Sequence, residues 1–158
     1  SNNIKQSIDD DYEKRKREEL INYFVTKTKF DPPESMVSRY CEKLIEEQTK
    51  KNPNIDKEKL KDEGKKAAGY NVKWFIIKDK ILEDAKIQIN KTDIDDEIDK
   101  IIKESKEEEN KIREYFNDQN NKESLANNLL NEKLFKYISD FSTINDTEKS
   151  TSELRKQK

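Results

Sequence analysis

Few side chains in this sequence could make or break a covalent bond. There is no histidine, and Cys41 is the only thiol. Nucleophilic catalysis needs a nucleophile with a base beside it, and the common Ser–His and Cys–His pairs cannot be assembled here. Cys41 stands among Val37, Tyr40, Leu44 and Ile45 and reads as a small buried hydrophobe. Two glycines in the whole chain leave no phosphate-cradling loop. A carboxylate pair could do acid–base work, but 35 Asp and Glu residues make any one pair uninformative. The nearest approach to a metal motif is Asp93-Ile94-Asp95-Asp96-Glu97-Ile98-Asp99, half a calcium loop. Such a loop needs glycine at its sixth position, where Ile98 stands, so the stretch fits a helix start instead. The reading is a non-enzyme with no cofactor and no metal.

What remains is apolar chemistry, which depends on the elements that present it. Charged residues make up 43% of the chain and apolar ones 30%, against about 25% and about 45–50% in ordinary domains. That leaves either disorder or an extended helical shape with a thin core and much solvated surface. Apolar stripes at helical spacing favour the second. Lys and Arg total 33, so the net charge is −2, with the signs interleaved. A nucleic-acid binder would need a basic surplus on one face, so none is expected as a direct partner. No apolar run approaches the roughly 20 residues of a membrane span, and no membrane partner is expected. A lone cysteine leaves the redox compartment open, and a cytoplasmic location fits.

The chain reads as all-α, an extended, bent multi-helix domain with arm-like projections. Residues 4–29 form a connecting arm: Ile4, Ile8 and Tyr12 share a face, Glu13 to Glu19 is charged, and Leu20, Ile21, Tyr23, Phe24 and Val25 dock the far end. The basic run Lys14 to Arg17 is flanked by acids and belongs to a solvated helix. Residues 31–141 form a helical body within a single domain, 1–141. Asp31 is placed to cap a helix opened by Pro32-Pro33-Glu34 and running to about Thr49. A third helix starts near Asn54 or Asp56, breaks or kinks within 64–71 at Gly64 and Gly69, and ends near Ile89. Its stripe is Trp74, Ile77, Ile81, Ala85 and Ile89. Thr92 with Asp95 fits the cap of a fourth helix over about 93–105. Further helices cover 107–117 and 122–141, and 142–158 is a polar C-terminal tail.

Pro33-Glu34-Ser35-Met36-Val37, after the arm Glu13 to Phe24, resembles the segment that opens the helical body in the C-terminal domain of the bacterial chaperone trigger factor. The likeness continues through Val72-Lys73-Trp74-Phe75-Ile76-Ile77 to Ile81, Ile87-Gln88-Ile89, Thr92-Asp93 with Glu97, and Glu132-Lys133-Leu134 to Phe141. Pro32 stands where the family usually has leucine. The similarity spans about residues 4–141. It implies one domain of a longer protein, whose prolyl-isomerase domain and ribosome-docking loop have no counterpart in this sequence. A ribosome would be reached only through that missing part.

The resemblance implies an ATP-independent holding chaperone domain whose partners are unfolded or nascent polypeptides, bound through apolar patches in a helical cleft. Surface charge keeps such a domain soluble while apolar groups stay uncovered. The client-facing candidates are Met36, Val37, Tyr40, Trp74, Ile77, Phe116, Leu129, Phe135 and Phe141. Met36 is the best chemical choice because a thioether adapts to many surfaces. Taken singly, each reads more readily as ordinary core, since helix stripes usually pack internally. A structural or adaptor helical module and the helical core of a SurA-type periplasmic chaperone stay open as alternatives, as does a weak homodimer.

Overall fold

The computed structural model describes the backbone of residues 2–156 and the side chains of residues 3–141. Among the described residues the fold is all-α. Six helices follow in order: α1 Asn2–Lys27, α2 Glu34–Lys51, α3 Lys57–Asp84, α4 Lys91–Glu104, α5 Glu109–Tyr115 and α6 Gln119–Lys156. The chain divides into two compact units, Ser1–Ile81 and Leu82–Lys158. No described helix is long and apolar enough to cross a membrane.

In the first unit, the N-terminal half of α1 stands in water: Ile4, Ile8 and Tyr12 are all exposed. Its C-terminal end docks. Val25 is buried, and the Phe24 ring lies 6.3 Å from that of Trp74 on α3. The cap of α2 is not Asp31. Pro33 is the N-cap residue and no side chain caps this end. The Pro33 carbonyl accepts instead from the amides of Met36 and Val37, at 3.0 and 3.1 Å. Helix α2 then packs on α3 through Val37, Cys41, Ala68 and Val72, with Ile45 and Ile76 partly buried against them. Cys41 is buried as expected, and its thiol lies 3.8 Å from the Lys61 carbonyl.

Asp56 opens α3, accepting from the amides of Glu58 and Lys59. Where a kink or a break was expected, at 64–71, the helix is unbroken. Two interior glycines weaken a helix by about 1 kcal/mol each, but burial of Ala68 and Val72 beside Val37 and Cys41 holds this stretch. A methyl group at Gly64 would come within 3.4 Å of the Cys41 sulfur, so Gly64 permits the close approach of α2. Around Gly69 there is open space.

The second unit begins at Leu82, in the last turn of α3. Helix α3 stops at Asp84 rather than Ile89 because Lys86 takes a left-handed conformation, φ 54°. The Lys86 amide bonds the Glu83 carbonyl and the Ile87 amide bonds that of Leu82, the pattern of a Schellman end. Neither Thr92 nor Asp95 caps α4. Asn90 does, in a reciprocal box: its side chain accepts from the Asp93 amide and the Asp93 carboxylate accepts from the Asn90 amide, both at 2.9 Å. Aspartate at this position reproduces the arrangement that glutamate usually provides.

Helices α4, α5 and α6 share a core of Ile98, Ile112 and Phe116, with Ile94, Ile101, Ile102 and Leu125 packed on it. Arg113 on α5 bridges Glu109 at 2.8 Å and Asp99 of α4 at 3.2 Å, and these two carboxylates hold its guanidinium firmly protonated. Asp118 caps α6 through the amides of Asn120 and Asn121. Leu134, Phe135 and Ile138 are buried along α6, Leu134 completely. The backbone of α6 continues to Lys156, past the end expected near 141. The side chains of the polar segment 142–158 lie outside the described residues.

Candidate functional site

Two stripes at helical spacing meet in the first unit. On α2, residues 36, 39, 40 and 43 fall at i, i+3, i+4 and i+7, the spacing of a single helix face. On α3, residues 71, 74, 75 and 78 repeat that spacing. Together with Val72 they line an open groove of about 440 Å³, within the usual range of about 300–1,000 Å³ for ligand pockets. Met36, Tyr40, Trp74 and Phe75 supply apolar surface over the buried Val72. Arg39, Lys43 and Lys78 supply charge, all of one sign, and Asn71 completes the lining.

The groove exists because α2 and α3 differ in bulk along their contact. Near Cys41 the facing positions are Gly64 and Ala68, so the helices close up. Towards Trp74 and Phe75 the side chains are too large for that. Met36 and Tyr40 each stay 37% exposed, and Phe75 is half exposed. Lys78 leans over the Phe75 ring, its ammonium 5.8 Å from the centroid, a distance at which cation–π attraction operates. Trp74 is braced from α1 by Phe24, whose own edge meets Tyr23.

Of the nine candidates read from the sequence, Met36, Tyr40 and Trp74 come together here. The others do not join them. Val37 belongs to the α2–α3 core, Ile77 is buried, Phe116 belongs to the core of the second unit, and Phe135 is buried on α6. These four are largely packed away, because the same periodicity that marks a stripe also marks the face turned to a neighbouring helix, though Phe116 also borders a groove of about 320 Å³ in the second unit. Leu129 is half-buried beside charged residues, and Phe141 is exposed on α6 away from any described groove. Sequence reasoning missed Phe75, Arg39, Lys43 and Lys78. The signal was present in the spacing on α2 and α3, but only if cations were counted with the apolar residues of the same face.

A second groove, of about 380 Å³, lies in the second unit between α4 and α6. Its lining is Asp93, Asp96, Glu97, Lys100, Leu129, Glu132, Lys133 and Lys136. Lys133 reaches across it to the Asp93 carboxylate at 3.1 Å and to the Gln88 carbonyl at 3.3 Å. The backbone bond from Asn90, and then the Lys133 ammonium, hold the Asp93 carboxyl below its ordinary value. Among the described residues no group of His, Cys, Asp or Glu is arranged to hold a metal ion.

Residues 1–140 match the family model described as bacterial trigger factor protein C-terminus. A curated relative from Agathobacter rectalis, named trigger factor, is 26% identical over 129 residues, covering 73% of this chain. The chain spans 29% of that relative's length. No solved structure matches it.

Proposed function

We propose that this chain, which belongs to the bacterial trigger factor C-terminal family, is a chaperone domain that holds unfolded or nascent polypeptides without ATP, acting in the cytoplasm. The observation that carries the reading is the α2–α3 groove, where Met36, Tyr40, Val72, Trp74 and Phe75 line one open surface. A holding site must take many sequences weakly, and a thioether flanked by aromatic rings suits that task. An all-helical chain also offers a bound segment no strand edge on which to grow a sheet. Whatever binds the unfolded chain in preference to the folded one delays folding by mass action.

The test is light scattering from a chemically unfolded protein diluted into buffer with the 158-residue chain and no nucleotide. Aggregation should slow at several-fold molar excess. The effect should persist at about 0.3 M salt, where the screening length falls to roughly 5–6 Å, because apolar contact dominates it. Unchanged aggregation at that excess would overturn the proposal.

A further inference from the structure

We infer that Phe24 of α1 is a positioning residue for the α2–α3 groove: it holds the Trp74 ring in place as one wall, so that docking of α1 and affinity for a bound segment rise and fall together. The inference rests on the holding function proposed above and names what regulates that site.

The ground is where α1 meets α3. Ile4, Ile8 and Tyr12 on the N-terminal half of α1 are exposed, while Val25 near its other end is buried. Beside Val25, the Phe24 ring lies 6.3 Å from the Trp74 ring at an inclination of 40°. One residue earlier on α3, the Lys73 ammonium stands 5.3 Å from the centroid of the Phe30 ring. The Thr28 amide donates to the Phe24 carbonyl at 3.1 Å and closes the last turn of α1. Residues 24–30 thus grip α3 at two successive positions, and the second of them, Trp74, lines the groove. Phe24 itself does not line it.

An apolar groove open to water gains free energy when its walls close on one another. Met36 and Tyr40 line the same groove from α2 and are partly exposed, and a thioether bends readily to meet a neighbour. A freed indole would turn onto them and fill the space that a bound segment needs. Phe24 opposes that turn by packing ring against ring. Only the open form binds, so if Trp74 stood open in about one molecule in five, apparent affinity would fall about five-fold. Such coupling is reciprocal: a segment that fixes Trp74 must favour docking of Phe24 by the same factor. Phe24 as ordinary packing, needed only for folding, would couple to neither.

Trp74 is the only tryptophan of the chain and lines the groove, so its fluorescence reports on this wall and on occupancy directly. The probe is a dye-labelled peptide with a Leu-Phe-Leu centre flanked by serines. It is titrated into the 158-residue chain well below the melting temperature, and binding is read from the anisotropy of the dye. Phe24→Ala should weaken binding about five-fold, the effect of releasing one immobilised side chain. Helicity by circular dichroism should be unchanged, and the fast local part of the Trp74 anisotropy decay should grow. Phe24→Tyr keeps the ring and should restore both affinity and rigidity. In the unsubstituted chain, saturating peptide should slow amide exchange by NMR at Thr28 more than at Asn52. The Asn52 amide closes α2 on the Gln48 carbonyl within the same unit and serves as the reference.

Full affinity in Phe24→Ala, or a Trp74 ring as rigid without Phe24 as with it, would overturn the inference and leave the holding function standing. Binding that stays weak in Phe24→Tyr would overturn it too. Should Phe24→Ala fail to fold, the exchange measurement decides, and equal slowing at Thr28 and Asn52 would overturn the inference. If the unsubstituted chain does not bind the peptide at all, the holding function falls with it.

Discussion

On α2 and α3, five apolar residues line a groove with three cations and no acid. On α4 and α6, Leu129 is the one apolar side chain in a lining of four acids and three lysines. Both grooves lie between amphipathic helices drawn from the same unusual composition. They differ in what the charges do. In the second unit, acids and lysines meet across the groove, and Lys133 ties α6 to Asp93 at the start of α4. In the first, charge stands along an apolar surface that no neighbour covers. A chain poor in apolar residues can thus line one inter-helix groove with charges of both signs and leave the other lined by uncovered apolar surface. Only the second arrangement is suited to holding another polypeptide.

The sharpest way to break this contrast is to damage each unit separately. Leu134 is fully buried, so Leu134→Ala should lower the unfolding free energy by about 2–5 kcal/mol, read from urea denaturation by circular dichroism. Peptide binding at Trp74 should be unchanged at low denaturant. Met36→Ser with Tyr40→Ser should do the reverse. Both residues are partly exposed, so stability should fall by about 1–2 kcal/mol per residue at most, while affinity for an apolar peptide should fall roughly ten-fold. If the pair of serines lowers stability and spares binding, the groove is ordinary packing and the contrast is false.

A smaller effect tests how the second unit begins. Lys86 holds a left-handed backbone that favours glycine. Lys86→Gly should therefore stabilise the chain by about 1 kcal/mol, measured as a shift in the denaturant midpoint. Destabilisation would mean that the lysine side chain, not the turn geometry, sustains this end of α3.

The elements with strong local signals were legible in the sequence. Amphipathic periodicity marked six helical regions, and Asp31-Pro32-Pro33-Glu34 marked the start of α2 to within two residues, the cap falling at Pro33 instead of Asp31. Errors arose where a tertiary or backbone effect outweighed the local one. Gly64 and Gly69 pointed to a break, but packing of Ala68 and Val72 decided the matter. Lys86 carries no turn signal of its own, so the stop at Asp84 was hidden behind the isoleucines that follow. The box of Asn90 and Asp93 was missed because Thr92 two residues on offers equally good cap chemistry. For the site, one periodic stripe serves core and surface alike. Val37 and Met36 are neighbours in sequence, yet one is core and the other lines the groove, and the path of α3 across α2 decides which is which.

The most delicate expectation concerns the ion pair that separates the two grooves in character. The Asp93 carboxylate accepts the Asn90 amide at 2.9 Å and lies 3.1 Å from the Lys133 ammonium, which together depress its pKa below 3.8. Its folded-state pKa is lower than in the unfolded chain, so its contribution to stability is complete above the ordinary carboxylate value. That contribution is lost as the pH falls through the lower folded-state value. At neutral pH the box and the bridge are both intact; below about pH 4 they weaken together. Lys133→Met removes the ammonium but leaves the Asn90 bond, which is the larger cause. The Asp93 titration followed by NMR should then move up only part of the way towards its ordinary value, and acid unfolding should begin at slightly higher pH. The response of Trp74 to peptide at neutral pH should not change, because the first groove contains no acid to titrate. An Asp93 titration indifferent to Lys133 would show that the capping bond alone sets it, and that the ion pair between α4 and α6 does not distinguish the second groove.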